Sequence, residues 1–243
     1  MEIIIIRHAE PDYNNNTLTE KGFREAEYLG KYFKDKKIDK MYVSPFPRAR
    51  YTADAIIKNK ENLTYEVCDF LREVTETIEN EDGNRHIIMD LRLSLIGKDD
   101  NIYHKDKWRE VELYGREKSL LAHYDYVKNC FYKILEENGY KFNGKFFDVT
   151  NANKDVLVFV CHFGLESYLL STLINVSPMT LVQFTCARPS SITRVVSEER
   201  AKGEALFRMI EFGATEHLYV AGEKPSFMAR MAEVYGDGDQ NVD

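Results

Sequence analysis

The sequence predicts an α/β protein, a three-layer α/β/α sandwich with a mostly parallel central sheet and an inserted cap segment. Three observations predict it. Short aliphatic runs alternate with helix-length segments at both ends of the chain. Two of those runs, Ile3 to Ile6 and Val156 to Val160, are apolar at every position, as strands buried on both faces are. The stretch between them, residues 74 to 150, is rich in charge and aromatics and shows no such alternation.

The elements follow in order. After the first strand, a helix starts near Thr19, whose hydroxyl suits an N-cap. Gly22, Ala26, Gly30 and Phe33 recur at helical spacing and give that helix a small-residue face for close packing. Lys40 to Ser44 reads as a second strand. Ala49, Thr52, Ala53, Ile56 and Ile57 form the inner stripe of a second helix, and Thr64 to Cys68 a third strand. A long helix is expected around Leu120 to Glu137. Asp155 to Cys161 is the next buried strand, followed by a helix over Leu165 to Ile174. Ile192 to Val196 and Leu206 to Ile210 read as strands. Residues 1–243 are thus read as one domain with a cap over 74–150 and a frayed acidic tail over 236–243.

Composition narrows the function classes. With 44% hydrophobic and 30% charged residues, the 243-residue chain can bury a sizeable core. A net charge of -7 argues against a nucleic-acid partner. No apolar stretch has membrane-spanning length, so no membrane partner is expected, and Ile3 to Ile6 is too short for a signal-peptide core. The four cysteines form no C-x-x-C pair and read as reduced thiols, which places the protein in the cytoplasm. No cofactor and no metal are expected, because no clustered His/Cys set occurs. His8-Ala9-Glu10 lacks the P-C-x-x-C partner of a zinc deaminase. Gly139 to Phe146 imitates a phosphate-binding loop but follows a helix and ends in Phe146 where a hydroxyl is needed.

The chemistry concentrates where three strands end. The first runs into Arg7-His8-Ala9-Glu10, another into Cys161-His162-Phe163-Gly164, and Met41 to Val43 into Ser44-Pro45-Phe46-Pro47-Arg48-Ala49. Ligands of open α/β sheets bind at the carboxyl ends of strands, so these cationic and imidazole side chains form a candidate site.

These segments resemble the histidine phosphatase superfamily, also called the phosphoglycerate mutase-like family. The resemblance rests on Arg7-His8-Ala9-Glu10 with Asn14 following, Leu18-Thr19-Glu20-Lys21-Gly22, Ser44-Pro45-Phe46-Pro47-Arg48-Ala49-Arg50-Tyr51-Thr52-Ala53, Leu71-Arg72-Glu73 and His162-Phe163-Gly164. It covers roughly residues 1 to 75 and 155 to 220. Ala9 departs from the usual Gly and adds a methyl group beside the nucleophile.

The resemblance implies roles residue by residue. His8 is the nucleophile and carries the phosphoryl group on a ring nitrogen. Arg7, Arg48 and a protonated His162 surround the phosphate oxygens, and Asn14 adds a hydrogen bond. Glu73 protonates the leaving oxygen, with Glu76, Asp12 and Glu10 as rivals for that role. His217 resembles a late family segment only loosely and reads as structural. The implied activity is that of a metal-independent phosphomonoester hydrolase acting on a small-molecule phosphate ester or a phosphoprotein. The alternatives are a phosphomutase using the same nucleophile and a catalytically silent phospho-ligand binding protein. The lack of proline between Pro47 and Pro178 speaks against the glycolytic mutases. Arg85, His86, Arg92, Trp108, Arg109, Tyr114 and Arg116 of the middle segment are read first as a charged cap surface and second as a reader of an acidic or planar leaving group.

Overall fold

The structure is a computed structural model and describes residues 1–79 and 83–226; the tail expected at 236–243 lies outside them. The chain opens with β1 (Glu2–Arg7), a small hairpin of β2 (Pro11–Asp12) and β3 (Thr17–Leu18), then α1 (Glu20–Phe33), β4 (Lys40–Val43), α2 (Pro47–Ile57) and β5 (Glu66–Val67). The middle holds β6 (Thr77–Glu79), β7 (Arg85–Ile87), the one-turn helices α3 (Leu93–Ile96) and α4 (Glu112–Gly115), the long α5 (Lys118–Glu137), β8 (Tyr140–Phe142) and β9 (Phe147–Val149). The last third carries β10 (Val156–Cys161), α6 (Phe163–Ile174), α7 (Pro178–Phe184), β11 (Ile192–Ala201), β12 (Glu204–Ala214) and α8 (Glu216–Val220).

Eight strands form the central sheet in the order β5-β4-β10-β1-β11-β12-β9-β8. The pairs from β5 to β1 are parallel. From β11 onward the pairing is antiparallel, so β12 and β8 again run the way β1 does. This is the expected mostly parallel α/β/α sandwich, with its antiparallel strands gathered at one side.

Alternation along β1 divides the core into its two layers. Ile4 and Ile6 face Leu29 and Phe33 of α1 and Ala53 and Ile56 of α2. Ile3 and Ile5 face the opposite layer, where Phe131 of α5 packs edge-on against Phe159 of β10. Thr19 caps α1 by accepting the Gly22 N–H at 2.9 Å, as the sequence suggests. The small-residue face of α1 has a direct use. A Cβ on Gly30 would stand 2.2 Å from the Ala55 carbonyl oxygen of α2, so only glycine permits this approach. Helix α6 is buried on all sides, which explains why its sequence shows no polar face.

The middle segment divides in two. Residues 118 to 149 belong to the body, because α5 supplies core side chains and β8 and β9 extend the sheet. The cap is the part before Lys118, built from the β6–β7 hairpin and short turns around Trp108 and Tyr114, both fully buried. The sequence obscures this division because α5 carries Tyr124, Tyr132 and many charges among its core positions. Among the described residues, no helix is long and apolar enough to cross a membrane.

The packing of α1 against α2 gives a stability prediction. Gly30→Val forces the two backbones apart and lowers unfolding stability by about 1–3 kcal/mol, as overpacked sites do. Denaturant unfolding measures it; an unchanged midpoint would show that the helices are free to separate.

Candidate active site

The carboxyl ends of β1, β10 and β4 are adjacent because β10 lies between the other two. Backbone bonds hold the three ends level. His8 N donates to Cys161 O at 3.0 Å, and Ser44 N donates to Val160 O at 2.9 Å. From the other side, Ser190 N donates to His8 O at 3.0 Å.

His8 is almost fully buried, and both ring nitrogens have assigned work. Nδ1 lies 2.8 Å from the Ala9 carbonyl oxygen, which only accepts, so Nδ1 carries the proton. Nε2 lies 3.1 Å from Arg48 Nε, which only donates, so Nε2 presents its lone pair. Burial, then the charges of Arg7 and Arg48, hold the His8 pKa well below its ordinary value. The imidazole is therefore neutral, with a lone pair directed at the arginine.

His162 caps the start of α6. Its Nε2 lies 2.8 Å from Ser44 Oγ, and its ring meets His8 edge-on with centroids 5.0 Å apart. Its Nδ1 is buried without a partner among the described residues. Burial, His8 and the two arginines push its pKa well down, so His162 is neutral here. The protonated His162 of the sequence reading belongs to the phosphate-bound site, where an anion balances the pocket. A cation cannot share this pocket with Arg7 and Arg48 until an anion joins them.

Arg7 is buried and donates from Nη1 to Ala187 O at 2.5 Å, which fixes its guanidinium. Arg48 lies over the rings of Phe46 and Tyr13 at 4.8 and 5.5 Å. Glu73 enters from the cap side. Its Oε1 accepts from Val74 N and Leu165 N at 2.9 and 3.1 Å, which leaves Oε2 without a backbone partner. Burial raises its pKa, against the opposing pull of those bonds and the arginines. Gly164 permits this position, since a Cβ there would stand 2.7 Å from Glu73 Oε1.

The rival carboxylates are engaged elsewhere. Glu76 Oε1 lies 2.8 Å from His123 Nδ1. Asp12 accepts the backbone N–H groups of Asn14 and Asn15. Glu10 accepts from Thr19 Oγ1 at 2.7 Å and from the Ser226 hydroxyl. That hydroxyl also reaches Glu25 Oε1 at 2.5 Å, and burial raises the Glu25 pKa, so one serine joins two carboxylates beneath the loop that follows His8.

Arg7, Arg48 and Glu73 line a cleft of about 610 Å³, with His8 directly behind Arg48. Asn14 does not join them. It is exposed on the turn between β2 and β3, and Tyr13 lines the cleft instead. The run Asn14-Asn15-Asn16 carries no sign of which member would point inward. The extra methyl of Ala9 points away from the cleft, into packing with Leu18 and Ala26.

Several contributors have no role in the sequence reading. Ser44 sets the His162 ring. Glu166, one turn into α6, is buried, and burial lifts its carboxyl to about 7 with Arg7 and Thr193 pulling the other way. Ser190 takes φ 62° and lies 3.0 Å from His217 Nε2, so His217 stabilises the turn whose N–H meets the His8 carbonyl. Its structural reading agrees with that position. Among the described residues, no cluster of His, Cys, Asp and Glu has a metal-holding arrangement.

Residues 3–81 match the family described as the histidine phosphatase superfamily (branch 1). The fold is similar to a mutant phosphoserine phosphatase from Entamoeba histolytica in complex with phosphoserine, with TM-score 0.58, 18% identity, and coverage of 89% of this chain and 98% of that one. It is also similar to a mycobacterial glucosyl-3-phosphoglycerate phosphatase in complex with VO3, with TM-score 0.56, 17% identity, and coverage of 88% and 99%. No curated protein matches by sequence.

Two arginines aimed at one cleft floor imply affinity for a tetrahedral oxyanion. Inorganic phosphate or vanadate at about a hundredfold above Kd is expected to stabilise the protein by about 2.7 kcal/mol. Arg7→Ala or Arg48→Ala removes most of that thermal shift; an equal shift in both variants would place the anion elsewhere.

Proposed function

We propose that this protein is a phosphomonoester hydrolase that works through a phosphohistidine on His8. The observation that carries the reading is the assignment of the two His8 nitrogens. Nδ1 holds its proton on Ala9 O, and Nε2 offers a lone pair beside two guanidinium groups. The family match over residues 3–81 supports the same reading.

A phosphate dianion attracts Arg48 more strongly than the neutral Nε2 does, so substrate binding draws the guanidinium from the ring onto the phosphate oxygens. Nε2 is then free to attack phosphorus. As the N–P bond forms, the P–O bond to the leaving group breaks, and protonated Glu73 gives its proton to the departing oxygen. Glu73, now a carboxylate, takes a proton from water. The resulting oxygen attacks phosphorus, the N–P bond breaks, and His8 returns neutral with its Nδ1 proton in place. Arg7 and Arg48 balance the charge of the equatorial oxygens in both steps, which is where phosphoryl transfer needs stabilisation. His162 adds a hydrogen bond once the dianion restores its basicity.

The phosphomutase reading differs in what accepts the phosphoryl group, and product analysis separates the two. Hydrolysis of a generic aryl phosphate with EDTA present is expected to continue in the parent and to vanish in His8→Ala. Equal activity in both would end the phosphohistidine mechanism.

The titrating groups set the expected pH profile. His8 is already neutral well below its ordinary 6.5, so attack persists into mildly acidic solution. Glu73 must be protonated to act first, and its raised pKa keeps the acid form present above the ordinary 4.5. Activity therefore falls as pH rises through the raised value. Glu73→Gln lowers kcat by about 10²–10⁴-fold and flattens that limb. A retained limb would assign the acid to another group.

A further inference from the structure

The cleft continues well beyond the phosphate floor, and the chemistry of its walls restricts what the rest of a substrate looks like. Resting on the phosphatase reading above, we propose that the site selects phosphate monoesters whose leaving group is uncharged and apolar, of the aryl or arylalkyl kind. Esters that carry a second anion, such as a carboxylate, are refused.

Charge is the first argument. Among the described residues lining the cleft, Arg7 and Arg48 are the only cations, and both are needed by the phosphate itself. The remaining ionisable carboxyl, Glu73, carries negative charge during half of the cycle. A substrate carboxylate would lose water and face Glu73, with no further cation lining the cleft to pair it.

Hydrogen bonding is the second. Gln183 has its amide nitrogen committed to Ile88 O at 2.7 Å, and Thr185 donates its hydroxyl to Leu181 O at 2.7 Å. The Leu165 N–H at the start of α6 is taken by Glu73. These bonds take up donors that a carboxylate would seek, and the second Gln183 N–H and the Tyr13 and Thr75 hydroxyls carry no charge to balance one.

The third is the wall itself. Phe46, Ile87, Met89, Val182 and Phe184 face the cleft. Phe184 is 66% exposed at the mouth, an apolar ring that a flat substrate group would cover. The volume, about 610 Å³, exceeds what a phosphate and a three-carbon acid need and falls in the range of sites for larger organic ligands.

The cap arginines Arg85, Arg92, Arg109 and Arg116 do not alter this, since none of them lines the cleft. Arg85 pairs with Glu117, Arg109 with Asp125, and Arg116 donates to Glu79 O. Arg72, near Phe46, is paired with Asp69 and does not line the cleft either.

The test compares two esters with the same kind of primary alkoxide leaving group, 2-phenylethyl phosphate and phosphoserine, so that leaving-group chemistry cancels. The expected kcat/KM favours 2-phenylethyl phosphate by at least about tenfold, mainly through KM. Phe184→Arg is expected to shrink that ratio by lowering the first value and raising the second. Its exposed position lets the variant fold. Inhibition by benzylphosphonate against phosphonoacetate gives the same comparison without turnover and is expected to favour benzylphosphonate. Acid-labile phosphoenzyme trapped on the parent separates the two levels of failure. If phosphoenzyme forms and phosphoserine equals or exceeds its rival, the substrate class is wrong and the phosphatase reading stands. If neither ester reacts and no phosphoenzyme forms, the reading beneath it falls and the inference falls with it.

Discussion

The hydrogen bond between His8 Nδ1 and its neighbour's carbonyl oxygen is the interaction on which the site depends. A buried imidazole between two arginines loses its proton to electrostatics, but electrostatics alone does not say which nitrogen is left bare. The Ala9 carbonyl makes that choice. The surrounding framework then serves to keep that carbonyl in place. Ala9 N donates to Thr52 of α2 at 3.0 Å, and Ser190 and Cys161 hold the His8 backbone from both sides. Shifting any of the three neighbouring elements would rotate the peptide, and the lone pair with it.

The second constraint is charge in a dry place. Two guanidinium groups at the cleft are costly to bury unless negative charge is near. The protein supplies part of it in weak form, through Glu73 beside the cleft and Glu166 behind Arg7, both with raised pKa values. Full carboxylates would neutralise the arginines and compete with phosphate. Burial pushes both carboxyls toward their neutral forms, which leaves the two guanidinium groups room for an anion. The neutral His162 fits the same arrangement.

Much of this was legible in the sequence, and the limits have physical reasons. The apolar runs ending in Arg7-His8 and Cys161-His162 announce buried strands with side chains presented at one edge. The cap of α1 at Thr19 and the close face at Gly30 follow from local chemistry. Asn14 misled because a run of three asparagines fixes a turn without fixing which side chain faces inward. The extent of the cap misled because α5 mixes aromatic core positions with surface charge, and helical periodicity in such a segment looks like polar noise. Ser44, Ser190 and Glu166 were silent because their importance comes from long-range neighbours. A serine in sequence does not reveal that a histidine many residues away will rest on it.

The clasp at Ser226 has a consequence for how the molecule is made. Its hydroxyl joins Glu10 and Glu25, and 216 residues separate it from Glu10. During synthesis the strand that leads into His8 emerges before β10 and before Ser226. It must wait for β10, which pairs with it across the sheet, and then for this late serine. Until then two acidic side chains beneath the loop that follows His8 face one another without the hydroxyl that links them. The nascent chain therefore holds His8 in an unfinished setting, and the closing stitch comes from one of the last described residues to leave the ribosome.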